Sequence, residues 1–157
     1  MDVVDENHTY WVLKTNIMRG ALFSTQKETF LEMAHRHRVN FAGVESVMYQ
    51  KALYQEIMRE FESWQNAPPL IPILHGSRNK ITRIATLLRP LFKNDRLKFH
   101  HLDYETKNQF ADFPLGRHDD IPDAVAMAIS LLPPEPEGEM FHLNPHLMQE
   151  TPLPAYF

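Results

Sequence analysis

Phe113-Pro114-Leu115-Gly116-Arg117-His118-Asp119-Asp120-Ile121-Pro122-Asp123-Ala124 is the stretch on which the reading of this chain turns. Three carboxylates fall within five residues, and Pro122 suits the first turn of a helix. On such a helix Asp119 and Asp123 stand four apart and Asp120 and Asp123 three apart, so they share a face. Like charges this close repel unless a positive charge sits among them. A divalent cation with oxygen ligands is one natural partner. Ala124, Ala126 and Ala128 keep the helix slim enough to approach a sheet closely. The other reading is an acidic helix start, favoured by capping and by the helix dipole. The third aspartate, the preceding His118 and the small residues favour the cation site.

Outward from this stretch, two further segments carry chemistry. Phe41-Ala42-Gly43-Val44 is apolar and ends at Glu45, a carboxylate at a strand end, where sites of α/β proteins gather. Glu45 also suits the start of the helix that follows. Arg78-Asn79-Lys80-Ile81-Thr82-Arg83 places cations at a helix start, where outward-facing N–H groups add to their pull on a phosphate. A solvated basic face is the alternative there.

The remaining pattern is that of an α/β domain. Residues 2–4 and 9–13 read as two antiparallel strands around a polar turn. Thr25-Gln26-Lys27-Glu28 has the form of a capping box opening a helix that runs to the basic His35-Arg36-His37-Arg38. A strand over 39–44, a helix over 47–64, a proline-containing edge strand over 70–74 and a helix over 80–91 follow. A short strand over 96–99 and helices over 104–110 and 119–132 close the pattern. Together these elements predict a mixed sheet with helices packed on it. Residues 1–132 read as one domain with one core. Residues 133–157 hold six of the 12 prolines and no basic residue, and read as a Pro-rich acidic tail.

Composition narrows the function. The chain has 157 residues and no cysteine, which excludes disulfides, zinc–thiolate sites and cysteine nucleophiles, and suits a reducing cytoplasm. No apolar run is long enough for a membrane helix, and the acidic start is not a secretory signal. The net charge is −4, yet no Lys or Arg follows Arg117 while seven acids do. The stretch 78–107 is locally basic, with eight basic residues against three acids. A basic surface beside an acidic cluster suits a protein that attracts both phosphate and metal.

Val44-Glu45, Lys80-Ile81-Thr82-Arg83-Ile84 and the closing motif at 113–124 together resemble the nuclease domain of the large terminase subunits of tailed phages. The resemblance runs from Val3 to Leu131. It implies an RNase H-like α/β fold that cuts double-stranded DNA during genome packaging with two Mg²⁺ or Mn²⁺ ions. By resemblance Glu45, Asp120 and Asp123 are the catalytic acids, with Asp119 and His118 as further metal ligands. Lys80, Arg83 and Arg78 become DNA contacts. The portal and the small terminase subunit are implied partners, and the cytoplasm of a phage-infected or lysogenic host the location. The family's first acid lies on a strand that precedes the pair at 2–4 and 9–13. That strand has no counterpart here, nor does the phosphate loop of the packaging ATPase. The expectation is therefore a domain that lacks its first catalytic strand, with weakened activity. A non-catalytic prophage remnant that still binds DNA or protein is one alternative, and a Holliday-junction resolvase-like nuclease another.

The tail reading has a direct check. Removal of residues 133–157 should leave the melting temperature nearly unchanged; a fall of more than a few degrees would mean that Phe141, Leu143 or Tyr156 packs on the core.

Overall fold

A computed structural model describes residues 2–4, 8–45, 48–74 and 79–132. Arg78 and the 133–157 segment lie outside the described residues. The order is β1 (Asp2–Val4), β2 (Tyr10–Val12), α1 (Phe23–His37), β3 (Ala42–Glu45), α2 (Met48–Glu62), β4 (Leu70–Ile73), α3 (Lys80–Lys93), β5 (Leu97–Phe99), α4 (Tyr104–Asp112) and α5 (Asp120–Leu131). The fold is mixed α/β, with five helices and short strands among the described residues. The strands form two small sheets rather than the single mixed sheet expected, because no described strand hydrogen-bonds into both. The chain divides into two compact units, residues 1–17 with 78–157, and residues 18–77.

In the first unit β2 is central. It pairs antiparallel with β1 and parallel with β5, Trp11 facing Val3 on one side and Lys98 on the other. Parallel neighbours need a long crossover, which the sequence between Val12 and Leu97 supplies. The Val12 carbonyl accepts from His100 N–H, and Tyr10 N–H donates to the Arg96 carbonyl, which extend the β2–β5 ladder at both ends. Val12, Leu97 and Phe99 are buried together with Ile84 and Leu88 of α3, Phe110 of α4, and Ile121, Val125, Ala126 and Ile129 of α5. The apolar positions of α5 recur at helical spacing, and the helix lies against α3, α4 and β1. Of the three alanines expected to allow a close approach, Ala126 is buried and Ala124 is exposed.

The second unit is built on β3 and β4, a parallel pair with Val44 opposite Pro72 and Glu45 opposite Ile73. With two strands each is an edge, which is where a proline fits, since it has no N–H to give to a ladder. Ala42 and Val44 turn into a core with Ala34 of α1 and with Ile57 and Phe61 of α2. The Phe61 and Trp64 rings meet in a tilted contact at 5.0 Å, and Lys27 Nζ bridges to Glu60 Oε1 at 2.7 Å, tying α1 to α2. Phe41, expected inside the strand, precedes it and is exposed at 42%. The capping box expected at Thr25 does not form. Helix α1 begins earlier, at Phe23 after Leu22, with no side-chain cap, and the Gln26 amide donates to the Ala21 carbonyl.

Between α4 and α5 the chain makes a tight loop. The N–H groups of Leu115 and Gly116 both donate to the Asp112 carbonyl, at 2.8 and 2.7 Å. A Cβ placed on Gly116 would lie 2.8 Å from the Cβ of Asp112, closer than such atoms approach. The glycine of the closing motif is therefore a matter of backbone packing. We expect Gly116→Ala to destabilise the chain by about 1–3 kcal/mol, as overpacking does. Urea denaturation measures it, and an unchanged midpoint would show that the loop yields freely.

Candidate functional site

The structure brings together two of the three segments singled out in the sequence, both in the first unit. Helix α3 begins at Lys80 after an Asn79 cap, whose side chain accepts from the Ile81 N–H at 2.9 Å. Lys80 and Arg83, three apart, therefore lie on one face of the first turn. The first turn of α5 packs beside it. Lys80 Nζ lies 2.7 Å from Asp119 Oδ1 and 3.3 Å from Asp123 Oδ2, and Arg83 Nη2 lies 2.5 Å from Asp123 Oδ1. One ammonium thus stands between two carboxylates, and Asp123 accepts from both cations.

Asp123 is buried, at 8% relative exposure, so its charge needs partners, and α3 supplies them. Lys80 is pulled two ways. Burial on its own lowers its pKa, but the hydrogen bond to Asp119 and the charge of Asp123 outweigh it and hold the ammonium above the usual 10.5. A raised pKa of this kind means the pair contributes stability below pH 10.5 and loses it as pH climbs through the higher folded-state value.

Asp119 holds the N-cap position of α5 yet makes no side-chain cap hydrogen bond. Its carboxylate goes to Lys80 instead. The cap comes from elsewhere: Gln109 of α4, buried at 4% exposure, accepts from the buried Ile121 N–H at 2.9 Å. Glu105 in turn accepts from the Gln109 amide. One turn earlier, Thr106 is fully buried and its hydroxyl meets that of Thr15 at 2.7 Å. Sequence reading missed Gln109. Its signal was there: Thr106, Gln109 and Phe110 fall on one helical stripe, and a polar side chain on an inward stripe needs a partner.

The remaining candidates are less gathered. Asp120 and His118 are exposed at the start of α5. Glu45 is half-buried at the C-terminal end of β3, beside the matching end of β4, in the second unit. Among the described residues no three His, Asp or Glu side chains are grouped so as to hold a metal ion. What the cluster does have is two carboxylates, each turning one hard oxygen toward the same positive charge.

No family model, no curated protein and no solved structure matches this chain. No helix among the described residues is long and apolar enough to cross a membrane.

The division of labour at the start of α5 has a measurable consequence. Gln109→Leu should cost about 1–3 kcal/mol, because it leaves the buried Ile121 N–H without an acceptor. Asp119→Ala should cost less than about 1 kcal/mol, the range of partly exposed ion pairs, since Asp119 caps nothing. Chemical denaturation of both variants gives the order, and a larger loss for Asp119→Ala would reverse the assignment of the cap.

Proposed function

We propose that this chain is a metal-dependent nuclease domain of RNase H-like type, related to the nuclease domain of phage terminase large subunits and acting on double-stranded DNA. The observation that carries the reading is the meeting of Lys80 and Arg83 with Asp119 and Asp123, some 40 residues away in sequence. Two of the three motif segments that suggested the family from sequence form one charged cluster at the start of α5. Acids and cations interleaved at a helix start suit a site that handles a cation and a phosphodiester together.

In this reading Asp119, Asp120 and Asp123 hold Mg²⁺ or Mn²⁺, with His118 at the rim. By the resemblance Glu45, in the second unit, is a further catalytic acid. The bound cation would polarise water and offset charge building on the phosphate. Arg83 keeps the Asp123 carboxylate oriented, and Lys80 and Arg78 meet DNA phosphates. Location in the cytoplasm of a phage-infected or lysogenic host, and contact with a portal and a small terminase subunit, belong to the same proposal.

A second reading is a non-catalytic DNA- or protein-binding module of the same fold. It is favoured by the fact that Lys80 and Arg83 already neutralise Asp119 and Asp123 within the chain. Nicking of supercoiled plasmid in Mn²⁺ separates the two. Slow nicking that falls by roughly a hundredfold or more in Asp120→Ala, Asp123→Asn and Glu45→Ala supports the nuclease. Nicking indifferent to all three substitutions would overturn the site, and DNA retardation without nicking would favour the binding module.

A further inference from the structure

Several surface cations of this chain answer to an acid on the same or the next helix. Arg36 pairs with Glu32 within α1, Arg59 with Glu56 within α2, and Lys27 reaches from α1 to Glu60. Helix α3 differs. Its 14 residues hold Lys80, Arg83, Arg89 and Lys93 and no Asp or Glu. A helix face that meets only water is ordinarily laced with charges of both signs. Lys80 and Arg83 are taken up by Asp119 and Asp123. Arg89 and Lys93 are exposed and have no ion-pair partner among the described residues.

The helical repeat gathers these two with neighbours that suit an anion. Thr82, Thr86, Arg89 and Lys93 follow at intervals of four, three and four, so they form one stripe, and all four are exposed. The buried Ile84 and Leu88 occupy the other side of the helix. The stripe runs through three turns, roughly 16 Å at about 1.5 Å per residue. Lys93 lies in the last turn, where a cation also suits the helix dipole, but Arg89 lies outside that turn and has no such role. Beyond α3, Arg96 donates to the His8 carbonyl and lies over the Tyr10 ring, Lys98 pairs with Asp95, and exposed Lys107 has Asp103 and Glu105 close by in sequence.

We infer that the outer stripe of α3, Thr82–Thr86–Arg89–Lys93, seats the phosphate backbone of double-stranded DNA. The inference rests on the DNA-acting reading above and names the surface that does the binding. Lys80 and Arg83 spend their charge inside the chain, so the attraction to an outside phosphate falls to Arg89 and Lys93. Arg takes a phosphate through paired N–H donors, Lys as a point charge, and Thr hydroxyls are common donors to phosphate oxygens. A duplex presents phosphates in a regular row, which a stripe of this length meets at several points, whereas a lone phosphate meets only part of it. Contacts of this kind set where the duplex lies without reading its bases.

The test is fluorescence anisotropy of two labelled duplexes of unrelated sequence, titrated with the full chain over a range of salt concentrations. The natural protein is compared with Arg89→Gln, Lys93→Gln and the double variant. Arg59→Gln, which removes the same charge from an α2 ion pair, controls for net charge, and melting temperatures confirm that each variant is folded. Each single substitution on α3 should weaken binding roughly three- to tenfold for both duplexes and lower the slope of log affinity against log salt by about 0.9, and the double variant should lower it by about twice as much. Arg59→Gln should keep the natural slope. A double variant with natural affinity and slope, or a loss matched by Arg59→Gln, would overturn this surface and leave the DNA-acting reading standing. A loss confined to one duplex would overturn backbone seating in favour of base contacts. No binding of either duplex by the natural protein would overturn both the surface and the reading it rests on.

Discussion

The buried carboxylate of Asp123 constrains how α3 meets α5 in the first unit. A charge in that position is costly unless it is paired, and removal of one member of such a pair leaves the other uncompensated. Its partners come from a helix start some 40 positions earlier, so the register of α3 against α5 is set by the need to bring Arg83 and Lys80 to it. The apolar contacts below, Ile84 and Leu88 against Ile121 and Val125, then fall into line on the same faces. Ion pair and core specify one arrangement, which is the agreement between levels that gives a chain a single native state.

The start of α5 shows how a fold frees a side chain for other work. A helix N-terminus exposes N–H groups that must be satisfied. If Asp119 satisfied them, its carboxylate would be tied to its own backbone. Gln109 accepts from Ile121 instead, and it is steadied by Glu105 one turn away on α4. The loop before the helix is tight enough to exclude a side chain at Gly116 and so brings α4 within reach. The Phe-Pro-x-Gly half of the closing motif is thus architecture, and in the Asp-Asp-x-x-Asp half Asp119 and Asp123 pair with the cations of α3.

The second unit has its own logic. A two-stranded parallel sheet exposes two edges and gains stability only from what covers its faces. Here Ala42 and Val44 are covered by α1 and α2 through Ala34, Ile57 and Phe61, with the tilted Phe61–Trp64 ring pair alongside. Glu45 ends the covered strand, opposite Ile73 of β4.

The sequence by itself determined what depends on neighbours along the chain: the two antiparallel first strands, the existence of α2, α3 and α5, the edge strand marked by Pro72, and three aspartates gathered at one helix start. Periodicity, proline chemistry and i, i+4 spacing are local properties, and they survive any rearrangement of the rest. Local rules also misled where a tertiary partner competed, as at Thr25, whose capping pattern lost to a helix begun at Phe23. Only the tertiary structure decided which positive charge meets Asp119 and Asp123, that Gln109 rather than Asp119 caps α5, and that the strands divide between two sheets with a core each. Lys80 and Arg83 were legible as cations at a helix start, but nothing in their spacing points to residues so far along the chain. Pairing of that kind is settled by which buried groups must find partners once the helices have packed, and no local pattern encodes it.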